Sequence, residues 1–161
     1  MTITNNVTRF LDAHKVKYGA HELPVEKLGA LEAAQYLGVP ARQVFKTIVT
    51  TRAKKKPVLA IIPAVCVVDL KLLAAFLGEK KMTLPTEREA EALTGLQVGG
   101  ISPLALINTG FHVALDAVAQ EYEQVYISGG QRGLNVQLSV ADLIRLTNAR
   151  VGKISREDGE R

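Results

Sequence analysis

A lysine sits in the middle of the apolar run VFKTIVT at 44–50, and two glycine-rich breaks, VGGISP at 98–103 and SGGQRG at 128–133, interrupt stretches that otherwise read as strand. These residues have the most to offer a substrate. With a period of two, Lys46 shares a face with Val44 and Ile48, while Phe45, Thr47 and Val49 share the other. An ammonium so placed either snorkels from a sheet edge, its stem covering apolar surface, or points into a cavity that takes an anion. In the second case it can hold a phosphate or steady an oxyanion, and burial shifts its pKa.

Glycine pairs weaken a strand and leave space beside it. Gly99 and Gly100 would let the main chain approach a ligand and turn N–H groups toward a carbonyl or phosphate oxygen. A side chain at Gly100 would then block the pocket. Ile101 follows, and Pro103 holds Ser102 extended, which stiffens the loop. In the second break Ser128, Gly129 and Gly130 precede Arg132, a bidentate donor suited to phosphate or carboxylate. Each break alone reads equally well as a bulge or a hairpin turn. Together they are expected to form the floor of one small-molecule pocket.

Other chemistries lack their residues. His14, His21 and His112 have no ligand-type spacing, so no metal is expected. The single cysteine, Cys66 in PAVCVVDL, reads as a small buried hydrophobe, and no GxSxG, Walker A or paired-carboxylate pattern occurs. An enzyme built from this chain works by positioning, main-chain donors and a lysine, with no cofactor. A net charge of +4 permits contact with a polyanion, and the basic stretch RAKKKP at 52–57 is a solvated hairpin tip that could brush an RNA backbone. Nowhere do 18 apolar residues run together, so a soluble, cytoplasmic protein with no membrane partner is expected.

The elements that must position these residues follow from periodicity and caps. Helices are expected over 4–14, over 26–37 with Leu28, Leu31 and Leu37 inward, from an Asp69 cap to Gly78, from the Thr86–Glu89 capping box to Gly95, and from Ser139 to about 148. Strands are expected at 44–50, 58–63, 96–101, 112–116, 123–128, 134–138 and 149–154. Helices and hairpins intermixed imply an α+β class: one domain over 1–155, a mixed, curved sheet forming a partial barrel with helices around it, and a frayed polar tail, SREDGER, over the last residues, 156–161 lying outside the domain.

VFKTIV, VGGISPL and YISGGQRGLNVQL, in that order and separation, resemble the YbaK/EbsC group of free-standing aminoacyl-tRNA deacylases, a domain that also occurs as the editing insertion of bacterial prolyl-tRNA synthetases. The resemblance covers most of the chain. It implies a curled mixed sheet and a trans-editing deacylase that removes a mischarged amino acid, cysteine foremost, from tRNA(Pro), with Cys-tRNA(Cys) as a further substrate and Ala-tRNA(Pro) hydrolysis or a non-catalytic binding module as alternatives. Lys46 matches the family's essential lysine, accompanied by Thr47. Gly99, Gly100, Ile101, Ser102 and Pro103 match its G-x-x-x-P loop at the aminoacyl ester, where a Gly100 main-chain donor would stabilise an oxyanion. Ser128, Gly129, Gly130 and Arg132 match its second glycine segment. Two positions depart from the pattern: Leu23 stands where a tyrosine is expected and Asn135 where an aspartate is. The implied partners are the 3′ end of an aminoacyl-tRNA and prolyl-tRNA synthetase. The implied ester cleavage uses the substrate's own thiol as nucleophile.

Overall fold

The computed structural model describes residues 3–158, which form five α-helices and nine strands. Strands β1 (Tyr18–Glu22), β6 (Gln124–Ser128) and β7 (Leu134–Ser139) make an antiparallel sheet in the order β1-β7-β6. Strands β2 (Phe45–Thr50), β3 (Val58–Pro63), β5 (His112–Asp116) and β8 (Arg150–Gly152) make a mixed sheet, antiparallel between β2 and β3 and parallel from β3 to β8. A two-stranded ribbon joins β4 (Cys66–Val68) to β9 (Ser155–Glu157). The fold class is α+β as expected, but the curl is built from separate sheets and does not close. Val44 and Tyr126 form one parallel bridge where β2 meets β6.

Every residue of β3 is buried, as a strand covered on both faces requires. Leu59 and Ile61 face the larger core with Phe45, Val49, Leu115, Val136 and Leu138, closed by helix α1 (Asn6–Ala13) and helix α5 (Val140–Thr147). Val58, Ala60 and Ile62 face the other way, under helix α3 (Leu70–Leu77). The caps at Asp69 and Thr86 stand as the sequence implies, whereas the first helix, expected over 4–14, starts at Asn6 behind Asn5 and ends at Ala13. Asn5 accepts from Thr8 N–H at 3.0 Å, Asp69 from Leu72 N–H at 3.0 Å and Thr86 from Glu89 N–H at 3.1 Å, the last opening helix α4 (Glu87–Thr94).

Three of the remaining expectations need correction, and strand β1 goes unmarked in the sequence. Helix α2 covers Ala30–Leu37, not 26–37, and its buried residues are Ala33 and Ala34, with Leu31 52% exposed. The seam is the stripe 30, 33, 34, 37, whose small alanines let the helix lie close to Val44 and Ala64. Residues 96–101 are a loop. Its main chain is satisfied from outside any ladder, Val98 N–H donating to Glu91 Oε2 at 2.8 Å and Gly100 N–H to Gln97 O at 2.8 Å. Strand β1 lacks a local signal because YGAHE has no apolar alternation; it is held by β7 pairing from Tyr18↔Leu138 to Glu22↔Leu134. The tail is ordered through 157, because the buried Asp116 carboxylate accepts from Ser155 Oγ at 2.6 Å and Ile154 N–H at 3.3 Å and so anchors β9. Residues 159–161 of the expected tail lie outside the described residues. Among the described residues, no helix is long and apolar enough to cross a membrane.

Candidate active site

The cavity follows from how β2 and β6 part. Bridge and ladder partners lie on one face of a sheet, so Val44, Lys46 and Ile48 share a face with Tyr126 and Ser128, and through Ser128↔Asn135 and Asn135↔His21 with β7 and β1. Beyond the Val44–Tyr126 bridge, β6 ends at Ser128 and turns away through Gly129 and Gly130, and β2 continues without that neighbour. A cavity of about 330 Å³ occupies the opening. Ala30 and Ala33 of helix α2 line it, with Leu23, Glu26, Leu28 and Gly29 on one rim and Leu84, Pro85, Thr86 and Glu87 on another. An ion pair of 2.6 Å, Lys27 Nζ to Glu87 Oε1, spans the two rims. Both partners are more than half exposed, so it contributes little stability.

Leu23, Lys46, Thr47, Gly99, Ile101, Ser128 and Asn135 line this cavity. Lys46 is half-buried and donates to Ala64 O at 3.3 Å, one of three hydrogen bonds an ammonium can give. Burial lowers its pKa below the ordinary lysine value, and Asp158 and Cys66 draw it partly back. Two cavity-lining oxygens, Thr47 Oγ1 and Asn135 Oδ1, are buried without a hydrogen-bond partner. A buried polar atom left unpaired costs on the order of 1–3 kcal/mol, so such pairs mark places where a ligand supplies the missing partner.

The other six expected residues stand behind the cavity wall. The Gly100 N–H does not turn toward an oxyanion, as its motif implies, because it already donates to Gln97 O. A Cβ on Gly100 would lie 2.8 Å from Gln131 Cα and 2.9 Å from Arg132 N, so the missing side chain admits the second glycine loop, not a ligand. Arg132 donates from Nε to Val98 O at 2.8 Å, which braces the two loops together. Ser102 is fully buried, accepts from Leu104 N–H at 3.2 Å and opens a short 3-10 turn at Pro103. Gly129 leaves room for Leu134, and Gly130, at φ +92°, for Val7. The two breaks do meet, as expected, but as a mutual brace of which Gly99, Ile101, Ser128 and the unforeseen Val98 and Gly133 reach the cavity. Leu84–Glu87 and Val49 also line it, and sequence reasoning misses both. The capping box at Thr86 marks a helix start but not a cavity wall, and Val49 has the character of any core residue.

The family model described as an aminoacyl-tRNA editing domain matches residues 26–146. A curated relative from Enterococcus faecalis, described as a candidate Cys-tRNA(Pro)/Cys-tRNA(Cys) deacylase, EbsC, is 34% identical over 155 residues, covering 95% of this chain and 94% of its own. Among solved structures, a candidate trans-editing enzyme for prolyl tRNA synthetase superposes with a TM-score of 0.79 at 25% identity, covering 96% of this chain and 99% of that one. The hypothetical protein APE2540 superposes with a TM-score of 0.86 at 23% identity, covering 94% of this chain and all of its own, a likeness of fold.

Proposed function

The chain belongs to the aminoacyl-tRNA editing domain family, and from that premise we propose that it is a trans-editing deacylase whose cavity takes the aminoacylated 3′ end of a tRNA, with cysteine on tRNA(Pro) as its leading substrate and Cys-tRNA(Cys) beside it. The observation that carries the reading is the convergence of Lys46, Ser128 and Asn135 on one face of a single cavity.

In this reading the aminoacyl group lies on that face. The unpartnered Asn135 Oδ1 accepts from the substrate's α-ammonium. The two spare donors of Lys46 approach the ester oxygen, where negative charge grows during attack. For a cysteinyl ester the nucleophile is the substrate's own sulfur. It attacks the carbonyl carbon, the ester C–O bond breaks, and the thiol proton ends on the released ribose oxygen, leaving a cyclic thioester. The protein then needs only to fold the substrate back on itself and neutralise the oxyanion. The absence of a triad from the motifs is consistent with that division of labour. The Thr47 hydroxyl, on the opposite side of β2 from Lys46, meets the ribose. Prolyl-tRNA synthetase is the proposed source of tRNA selectivity, because a domain of this size has little surface for reading tRNA.

The test is deacylation of Cys-tRNA(Pro), Cys-tRNA(Cys) and Ala-tRNA(Pro) by the purified protein. Rapid loss of both cysteinyl esters with the alanyl ester spared is expected. Loss of the alanyl ester alone would replace the thiol-assisted route by attack of a positioned water. Thr47→Val offers a narrower check. Valine keeps the volume and removes the unpaired hydroxyl, so the thermal midpoint should hold or rise while KM for aminoacyl-tRNA increases about tenfold. Steady-state kinetics beside calorimetry would read both, and an unchanged KM would remove Thr47 from the substrate's path.

A further inference from the structure

The cavity touches six consecutive residues of the β2 segment, Val44 through Val49. Residues on both faces of a strand can line one cavity only if that cavity runs along the strand's edge. The direction of the main chain along this edge follows from its two ends. Val44 O accepts from Ala64 N–H at 2.8 Å, on the β3 side. Thr51 exchanges bonds of 2.8 and 2.9 Å with Thr83, on the opposite side. Strand alternation between those ends turns the main-chain N–H and C=O of Thr47 and Val49 away from β3 and toward the cavity. The edge is thus stapled at Val44 and at Thr51 and left open between, because the Ser128–Gly129–Gly130 turn removes β6 as a partner.

We infer that this open edge recognises the terminal adenine of the substrate, the 6-amino group donating to Thr47 O and the adjacent ring nitrogen accepting from Val49 N–H. The inference rests on the proposed deacylase function and deepens it. A C=O at one position and the N–H two residues on are neighbours along a strand edge. Their counterpart must be flat and carry a donor beside an acceptor. Within an aminoacyl-adenosine the base does so rigidly and in one plane; the α-ammonium and the ester carbonyl are already placed at Asn135 and Lys46, and each ribose hydroxyl is a single point. A peptide strand fits poorly, because the opening is bounded by bridges at both ends. The orphaned Thr47 Oγ1 independently points to a polar occupant on this side of β2, and Ala90 and Ile101 supply an apolar wall for a ring. The arrangement places the adenine on the Thr47–Val49 edge and the aminoacyl group beside Lys46 and Asn135, with the ribose between.

Two non-hydrolysable probes test this: cysteine joined by an amide to 3′-amino-3′-deoxyadenosine, and the same amide built on purine riboside, which lacks only the 6-amino group. Calorimetric titration of the full chain is expected to give about tenfold tighter binding of the adenosine compound. Replacing Val49 with its α-hydroxy acid removes the edge N–H and keeps the buried side chain and the β3 ladder. This protein should bind both compounds about tenfold more weakly. Equal binding of the two probes, or unchanged binding by the position-49 ester, overturns the inference. If cysteinyl-tRNA is still deacylated in that event, the proposed function stands alone. If no aminoacyl-tRNA is cleaved and neither probe binds, both fall.

Discussion

Lys46→Ala is expected to reduce deacylation by about 10²–10³-fold while leaving the fold intact, the scale seen when one donor to a developing oxyanion is removed. The fold should tolerate the change because Lys46 makes one long main-chain hydrogen bond, to Ala64 O at 3.3 Å, and no ion pair shorter than 4.0 Å among the described residues. Lys46→Arg keeps the charge but not the compact ammonium, and should recover only part of the rate. The pH dependence follows in sign. Activity needs the protonated amine, and burial lowers its pKa, so activity is full below that lowered value and fades as pH rises through it, earlier than for an exposed lysine. Because aminoacyl esters hydrolyse spontaneously in alkali, the profile is best read as the difference between wild type and Lys46→Ala. Wild-type turnover by the alanine variant would remove Lys46 from the reaction.

Gly100→Val is expected to cost about 3 kcal/mol of stability and lower the thermal midpoint by about 6–12 °C. The reason is backbone against backbone. The added Cβ would stand 2.8 Å from Gln131 Cα and 2.9 Å from both Gln131 C and Arg132 N, atoms that no rotamer change can move aside. Gly100→Ala carries the same first atom and should show much of the loss. Activity should fall only as far as the loosened brace lets Gly99 and Ile101 drift from the cavity wall. Thermal denaturation and initial rates separate this from a blocking effect. An alanine variant with an unchanged midpoint and no activity would return Gly100 to the ligand's side of the wall.

Glycine motifs in this chain mark vacated space without saying what fills it. Both breaks are legible as places where the chain gives up packing, and proximity between them is the natural expectation. Whether the space holds a ligand or another stretch of main chain cannot be read from residue types. Here Gly99 faces the cavity and its neighbour Gly100 faces Gln131 and Arg132, a difference of one residue in a turn whose direction is set by Gly99 at φ +96° and the bond from Gly100 N–H to Gln97 O. Likewise the leucines of 28–37 have the spacing of a buried stripe, but burial goes to the alanines, because close approach to Val44 and Ala64 favours small side chains.

Legible in the residues alone were the α+β class, the presence of all five helices, the caps at Asp69, Thr86 and Ser139, the β2–β3 hairpin, and the motif order that implies the family. These are local: a cap reaches three residues and a strand's alternation needs only its own side chains. Only the packed chain shows that β6 meets β2 at a single bridge, Val44–Tyr126, that Asn135 and Thr47 end with unpaired oxygens at the same cavity, and that Asp116 recruits the tail into β9. Each depends on which distant segment arrives to satisfy or leave open a hydrogen-bonding group, and that choice is made by the packing of the whole chain.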